Sequence, residues 1–275
     1  MTVNGWRAEL DLTFEYSNGL TRLMHRRHMG PLVVQRPFHP EADGSAHVYI
    51  LHPPGGVAGG DQLNMTCHLG PNARTVLTTP GATKFYRCDQ RSSEQRVHIE
   101  VGAGGICEYL PQETILFDGA KASLKTRVTL AADSTYIGWD MFSFGRPASR
   151  ELFRRGNARQ RIEIVRDGRP IWFEQLNLKG EGGMIDLPFI LAGRPIVGTM
   201  VYAGPMIENA VERIRQAHGQ AALSVFSASA LERVVVCRYL GTRISEAKTL
   251  FFQAWDILRE AGLGKRATAP RIWAT

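Results

Sequence analysis

Regular alternation of short apolar runs with turn residues is the feature that most constrains the fold of this chain. Over the first two-thirds of the sequence, strand-like segments recur roughly every 8–14 residues between clusters of Gly, Pro, Asn and Asp. Residues 10–16 (LDLTFEY) alternate with the period of a half-buried strand, and Asp167-Gly168 predicts a tight hairpin. The pattern predicts a β-dominated body, and it allows a stacked, helix-like arrangement of strands as well as a sandwich.

Helical periodicity appears only late in the chain. Residues 206–217 and 245–261 each carry an apolar stripe, and the second segment has Ser245 as a candidate N-cap and Gly262 and Gly264 at its end. No Pro/Gly/Ser-rich linker divides the sequence. We therefore predict one domain over residues 1–275, mainly β, with a small helical part near the C-terminus.

One glycine-rich segment, residues 51–63 (LHPPGGVAGGDQL), must form a tightly specified turn, because proline fixes φ and glycine permits positive φ. Gly55 and Gly60 have the spacing of a phosphate-binding loop. Asp61 and Gln62 stand where such a loop needs Lys and Ser/Thr, and a carboxylate would repel phosphate. A nucleotide site is therefore excluded here. The residues of this motif loop are His52, Pro53, Pro54, Gly55, Gly56, Gly59 and Gly60.

Composition favours a cytoplasmic protein with an anionic partner. The formal net charge is +7, no apolar run approaches the ~18 residues of a membrane span, and the N-terminus lacks a secretory pattern. Four cysteines occur singly, which is typical of reduced thiols. The densest basic stretch, residues 146–161, suits an acidic protein surface or nucleic acid, although a solvated face explains it equally well.

The sequence contains no recognisable catalytic motif such as G-x-S-x-G or H-E-x-x-H. His52 is a candidate base with no evident partner. A hydrolase that uses His52 and Asp61, and a nucleic-acid-binding β protein, remain open at this point.

Six segments, in this order, resemble the UreD (UreH) family of urease accessory proteins. They are GPLVVQRPFHPE (30–41), HPPGGVAGGDQL (52–63), LTTPGATKFYR (77–87), LPQETILFDGA (110–120), GRPA with LFRRG (145–156) and the terminal PRIW (270–273). The resemblance implies a β-helix-like fold and a non-enzymatic maturation chaperone. It also implies partners: the urease apoprotein subunits, the helical protein UreF and, through UreF, the GTPase UreG. Neither nucleic acid nor a membrane is expected as a partner.

The resemblance further implies transient nickel as cargo, with no tightly bound cofactor. The acids of the family motifs map onto Asp61, Asp118 and Asp140, and Asp140 stands where the family usually has Glu. Carboxylates and water bind a divalent cation loosely enough to release it, so we expect these three residues to aid nickel transit. A second expectation is that Phe251, Trp255, Lys265 and Arg266, in and after the last helical segment, dock UreF.

Overall fold

The computed structural model describes residues 5–222 and 225–274, and within them strands dominate. In chain order the strands are β1 (Arg7–Ser17), β2 (Leu20–Met29), β3 (Val33–Val34), β4 (Ala46–Leu51), β5 (Gln62–Leu69), β6 (Arg74–Thr78), β7 (Thr83–Phe85), β8 (Ser93–Val101) and β9 (Ile106–Leu110). They continue as β10 (Thr114–Leu116), β11 (Lys121–Leu130), β12 (Thr135–Arg146), β13 (Glu151–Leu152), β14 (Asn157–Arg166), β15 (Arg169–Lys179), β16 (Ile196–Ala203), β17 (Phe226–Leu231) and β18 (Val234–Gly241). The helices are α1 (Ala210–Ala222) and α2 (Ile244–Leu263).

Between β4 and β14 the chain passes repeatedly from one sheet to the other, so it winds as a β-solenoid of about four turns. The first sheet has the order β15-β14-β11-β8-β5-β1-β2, and the second runs β17-β18-β16-β12-β9-β6-β4-β3. The pairs β5–β8, β8–β11 and β11–β14 are parallel in the first sheet, as are β4–β6, β6–β9 and β9–β12 in the second. The expected β-helix-like body with a small helical part near the C-terminus is confirmed.

The short turns between strands are mostly corners of the solenoid. The sequence suggests that residues 125–130 and 135–142 form a strand pair, and this expectation is wrong. The first segment belongs to β11 in the first sheet, and the second belongs to β12 in the other sheet. A tight turn at residues 131–134 therefore changes sheets instead of closing a hairpin.

The two sheets differ in burial because only the second is covered on both faces. In β1 and β5, buried and partly exposed residues alternate, so one face of the first sheet is open to solvent. In β12 nearly every residue is buried. One face of that strand lines the solenoid interior, and the other packs under the helices, which explains its near-continuous apolar sequence.

The helices form a layer on the outer face of the second sheet. Helix α2 packs Phe251 and Trp255 against Trp139 of β12, and Trp273 closes the same aromatic cluster. The predicted C-terminal glycine is confirmed at Gly264, which caps the helix with φ of 68°. The predicted cap Ser245 is wrong, because the helix already begins at Ile244 and has no side-chain cap.

Antiparallel hairpins reverse the chain at both ends of the first sheet. At one end β14 turns into β15 through Asp167 and Gly168, both with positive φ, which confirms the predicted hairpin. At the other end β1 pairs with β2. Residues 25–28, which the sequence suggests as a polar turn, continue β2 as an exposed edge strand. Among the described residues, no helix has both the length and the apolar character needed to cross a membrane.

Candidate functional site: two cavities that share Asp140

A partly open cavity of about 310 Å³ extends into the solenoid. Inward-facing side chains from successive coils line it, among them His52, Met65, Gln95, Tyr109 and Asp140. These positions face inward because successive side chains of a strand point to opposite faces of the sheet. In parallel register, equivalent positions of neighbouring strands lie above one another. Most of the inward-facing side chains are apolar. The polar ones line the part of the interior that can hold water.

Asp140 is the acidic residue in the wall of this cavity. Its neighbour Trp139 faces the helix layer, so alternation along β12 turns Asp140 toward the interior. Removal from bulk water raises the pKa of the Asp140 carboxyl to about 7, and the nearby charge of Glu174 adds to this effect. A hydrogen bond of 3.5 Å from Gln160 Nε2 opposes the rise only in part. Asp140 therefore exchanges its proton near neutral pH.

A second cavity of about 510 Å³ lies between β15 and the strands β16 and β18. Asp140, Gln160, Glu174 and Arg238 belong to its wall. Glu174 accepts a hydrogen bond of 2.7 Å from Thr199 Oγ1 and forms an ion pair of 2.6 Å with Arg238. Because both cavities have Asp140 in their walls, this one carboxyl can contact a guest in either of them.

The glycine-rich loop forms one end of the first cavity through His52 and Gly55. Its acid, Asp61, is a structural cap. The backbone N–H groups of Trp6 and Ala58 donate to its two carboxylate oxygens at 2.7 and 2.8 Å. Gly60 has φ of 95°, a conformation that favours glycine.

His52 is half-buried, and burial lowers the pKa of its imidazole. Among the described residues the His52 imidazole has no hydrogen-bonding partner. The carboxylate oxygens of Asp61 accept hydrogen bonds from backbone amides instead. The His52–Asp61 pair that a hydrolase would need is not formed. The observation that suggested a hydrolase therefore loses its support.

Asp118 also acts as a local clamp. It accepts hydrogen bonds of 2.8 Å from the backbone N–H groups of Arg154 and Arg155 and forms an ion pair of 2.6 Å with the Arg155 side chain. Burial alone would raise the pKa of Asp118, but these donors outweigh it and lower the pKa. The structure thus places Asp140 in both cavity walls and engages Asp61 and Asp118 in holding loops.

The residues expected to dock UreF do not form one exposed surface. Phe251 and Trp255 are fully buried in the helix layer, because the apolar stripe of α2 covers the molecule's own second sheet. The expectation that these two rings face a partner is therefore corrected. Lys265 binds carboxylates of its own chain, and only the Arg266 side chain, paired with Asp256, is well exposed.

A buried charged network under α2 was not foreseen from the sequence. The Arg259 guanidinium is fully buried and donates to Glu108 at 2.8 Å and to Glu41 at 2.9 Å. Trp255 Nε1 donates to the other oxygen of Glu108 at 2.6 Å. Burial alone would raise the pKa of Glu41. Hydrogen bonds from His47, Lys265 and Arg259 outweigh this effect and lower the pKa to about 2. The network fixes α2 to the solenoid.

Sequence reasoning also missed Gln160 and Glu174. A signal was present for Gln160, since it occupies an inward position between Ala158 and Ile162 in an otherwise apolar alternation. Among the described residues, no three His, Cys, Asp or Glu side chains are grouped to hold a metal ion. The first cavity thus offers the Asp140 carboxyl beside amides and hydroxyls, and the second adds the Glu174 carboxylate, which is paired with Arg238.

Fold and cavities together define a class of protein, a β-solenoid with two cavities that share one carboxyl, Asp140, whose pKa is raised. A family model described as UreD urease accessory protein matches residues 7–274. The Brucella anthropi protein named urease accessory protein UreD 2 is 64% identical over 271 residues, covering 98% of this chain and 99% of that protein. The UreD proteins of Azoarcus sp. and Nostoc sp. are 41% and 38% identical, over 98% and 99% of this chain and 95% and 98% of theirs. The chain belongs to the UreD family of urease accessory proteins, which gives it a role in urease maturation.

Proposed function

We propose that this protein is a non-catalytic scaffold that binds the urease apoprotein and, with UreF and the GTPase UreG, enables nickel insertion by conducting nickel through its interior. Family membership supports the maturation role. The observation that carries the proposed route is the position of Asp140 in the walls of both cavities.

The chemistry of these walls suits a cation in passage. Cavities of about 310 and 510 Å³ have room for several waters, so the ion can keep part of its hydration shell. A carboxyl with a pKa of about 7 can give up its proton when a divalent cation approaches and take it back when the cation leaves. One carboxylate with water binds weakly, whereas a cage of His and Cys would retain the metal.

Asp61 and Asp118 have a different role in this proposal. They hold the loops that shape the cavity end and the adjoining corner, so they support the route through geometry. Arg266 and the partly exposed Lys265 remain candidate contacts for UreF, because Phe251 and Trp255 are unavailable.

The test is co-expression with the urease subunits, UreF and UreG, followed by a pull-down and by measurement of urease activity and urease-bound nickel. Asp140→Asn should leave the complex intact and reduce nickel loading most strongly when nickel is scarce. Asp167→Asn, the same change in an exposed hairpin turn, is the matched control. If the Asp140→Asn protein assembles and loads urease as the wild type does at every nickel concentration, the proposed route is wrong.

A further inference from the structure

Three successive solenoid coils place cations side by side on the exposed face of the first sheet. Arg96 of β8, Lys125 of β11 and Arg161 of β14 are direct register partners across parallel strands. Arg127 lies two residues after Lys125 and Arg159 two residues before Arg161, both on the same face, and all five side chains are exposed. Neighbouring strands are about 4.8 Å apart, so the row of three spans about 10 Å. These five residues are called the basic sheet face.

Carboxylates on the same face compensate only some of this charge. Glu94 forms an ion pair with Arg96. Glu163 is shared between Arg161, at 3.4 Å, and Arg127, at 3.7 Å. Two acids thus serve three arginines of the cluster.

The remaining two cations are unpaired. Within residues 5–222 and 225–274, neither Lys125 nor Arg159 has an ion pair or a hydrogen bond. Like charges directly opposite each other in a sheet are destabilising, so the fold itself gains nothing from this arrangement. The other arginines of the basic stretch differ, since three of them are paired with acids: Arg146 with Glu151, Arg154 with Asp186 and Arg155 with Asp118.

The basic sheet face also has a recess and an apolar neighbour. A depression of about 480 Å³ is lined by Lys125, Arg159, Arg161 and Gln175. Phe173, on the adjacent strand, is 51% exposed, and the Arg161 guanidinium lies 4.9 Å above its ring. Interfaces are enriched in exposed aromatic rings and arginines of this kind.

We propose that the basic sheet face binds an acidic α-helix of a partner protein. Acids at positions i, i+4 and i+7 of a helix lie on one face and span about 10.5 Å, which matches the row of three cations. A helix can place neutral residues opposite Glu94 and Glu163, whereas the continuous phosphates of nucleic acid cannot avoid these two acids, so the helix is favoured. This surface adds a docking site to the proposed scaffold role, and its test uses neither urease nor nickel, so the two proposals can fail separately.

The test measures binding of the purified full chain to a fluorescein-labelled, alanine-rich helical peptide with Glu at i, i+4 and i+7. A second peptide carries Gln at the same positions. Fluorescence anisotropy at about 50 and 300 mM salt gives the affinity and its screening. Lys125→Glu with Arg159→Glu should weaken binding of the Glu peptide at least about tenfold. Arg26→Glu with Arg36→Glu makes the same charge change elsewhere and should leave the affinity within about twofold.

Thermal melts check that the variants fold, and Lys125→Gln with Arg159→Gln replaces the charge reversal if that variant melts early. Selective loss in the Lys125/Arg159 variants, together with weak binding of the Gln peptide, supports the proposal. Three results overturn it: equal binding to both double variants, equal binding of the Gln peptide, or tighter binding of a 20-base-pair DNA duplex through the same residues.

Discussion

Replacing Asp140 by Asn should stabilise the protein, and the gain should grow with pH. The pKa of this carboxyl rises from 3.8 to about 7 on folding. The folded state therefore holds the proton more tightly than the unfolded state. Below about pH 4 both states are protonated and the residue costs nothing. As pH rises, the unfolded state ionises first, so stability falls until about pH 7 and is level above it.

The magnitude follows from the shift. A difference of about three pKa units corresponds to about 4 kcal/mol above pH 7. Between pH 5 and pH 8 the penalty grows by about 2–3 kcal/mol. Water in the cavity reduces these values, because part of the carboxyl faces the cavity. At about 2.1 cal/mol/K of unfolding entropy per residue, a change of about 2–3 kcal/mol in this 275-residue chain shifts the melting temperature by about 3–5 °C.

The assay is thermal or chemical denaturation of wild type and Asp140→Asn at pH 5 and pH 8. The advantage of Asn should be about 2–3 kcal/mol smaller at pH 5 than at pH 8. Asn keeps an oxygen that can accept the hydrogen bond from Gln160, so the comparison isolates the charge. Asp167→Asn should give a difference that does not change with pH. If the Asp140→Asn difference is also the same at both pH values, the argument that burial keeps Asp140 protonated is refuted.

Three further predictions concern the buried network and the backbone. The pKa of Glu41 is lowered from 4.5 to about 2, so its carboxylate stabilises the fold above pH 4.5. This contribution is up to about 3 kcal/mol, and it is lost as the pH falls toward 2. Glu41→Gln should flatten the acid branch of a fluorescence-monitored stability curve. Glu108→Gln should cost on the order of 3 kcal/mol in urea unfolding, because the buried Arg259 keeps Glu41 but loses its second carboxylate. Adding Arg259→Met should recover part of the loss, and a simple sum of the two losses would contradict this. Arg150 has φ of 55°, a conformation that favours glycine. Arg150→Gly should therefore leave stability unchanged or raise it by up to about 1 kcal/mol. A lower denaturation midpoint would show that the Arg150 side chain contributes more than the backbone strain costs.

The sequence predicts the β-rich body well, because alternation and turn residues are local signals. It predicts strand pairing poorly, because pairing in a solenoid is not local. Residues 131–134 can form a turn both in a hairpin and at a corner of the solenoid. Only the neighbouring coils decide that β11 pairs with β8 and β14. The start of α1 shows the same limit. The apolar stripe extends back to residue 206, but Asn209 has φ of 54°, so the helix begins at Ala210.

The site was predictable only where alternation along one strand decides it. Trp139 and Asp140 are adjacent, so one must face the interior when the other faces the helices. Gln160 and Glu174 reach Asp140 from other strands, and no spacing in the sequence indicates that meeting. The buried Trp255 illustrates a third limit, since an apolar helical stripe has the same pattern whether it covers its own sheet or a partner.

The two hairpins at the ends of the first sheet limit self-assembly. A solenoid that ended in bare parallel strands would offer its edges to a second copy and could continue as a fibre. Here the edge strand β2 carries three arginines and two histidines within residues 22–28, and it is exposed over most of its length. Two copies paired through β2 would bring their arginines together, which opposes that pairing. Lengthening of the solenoid by pairing two copies through β2 is therefore opposed.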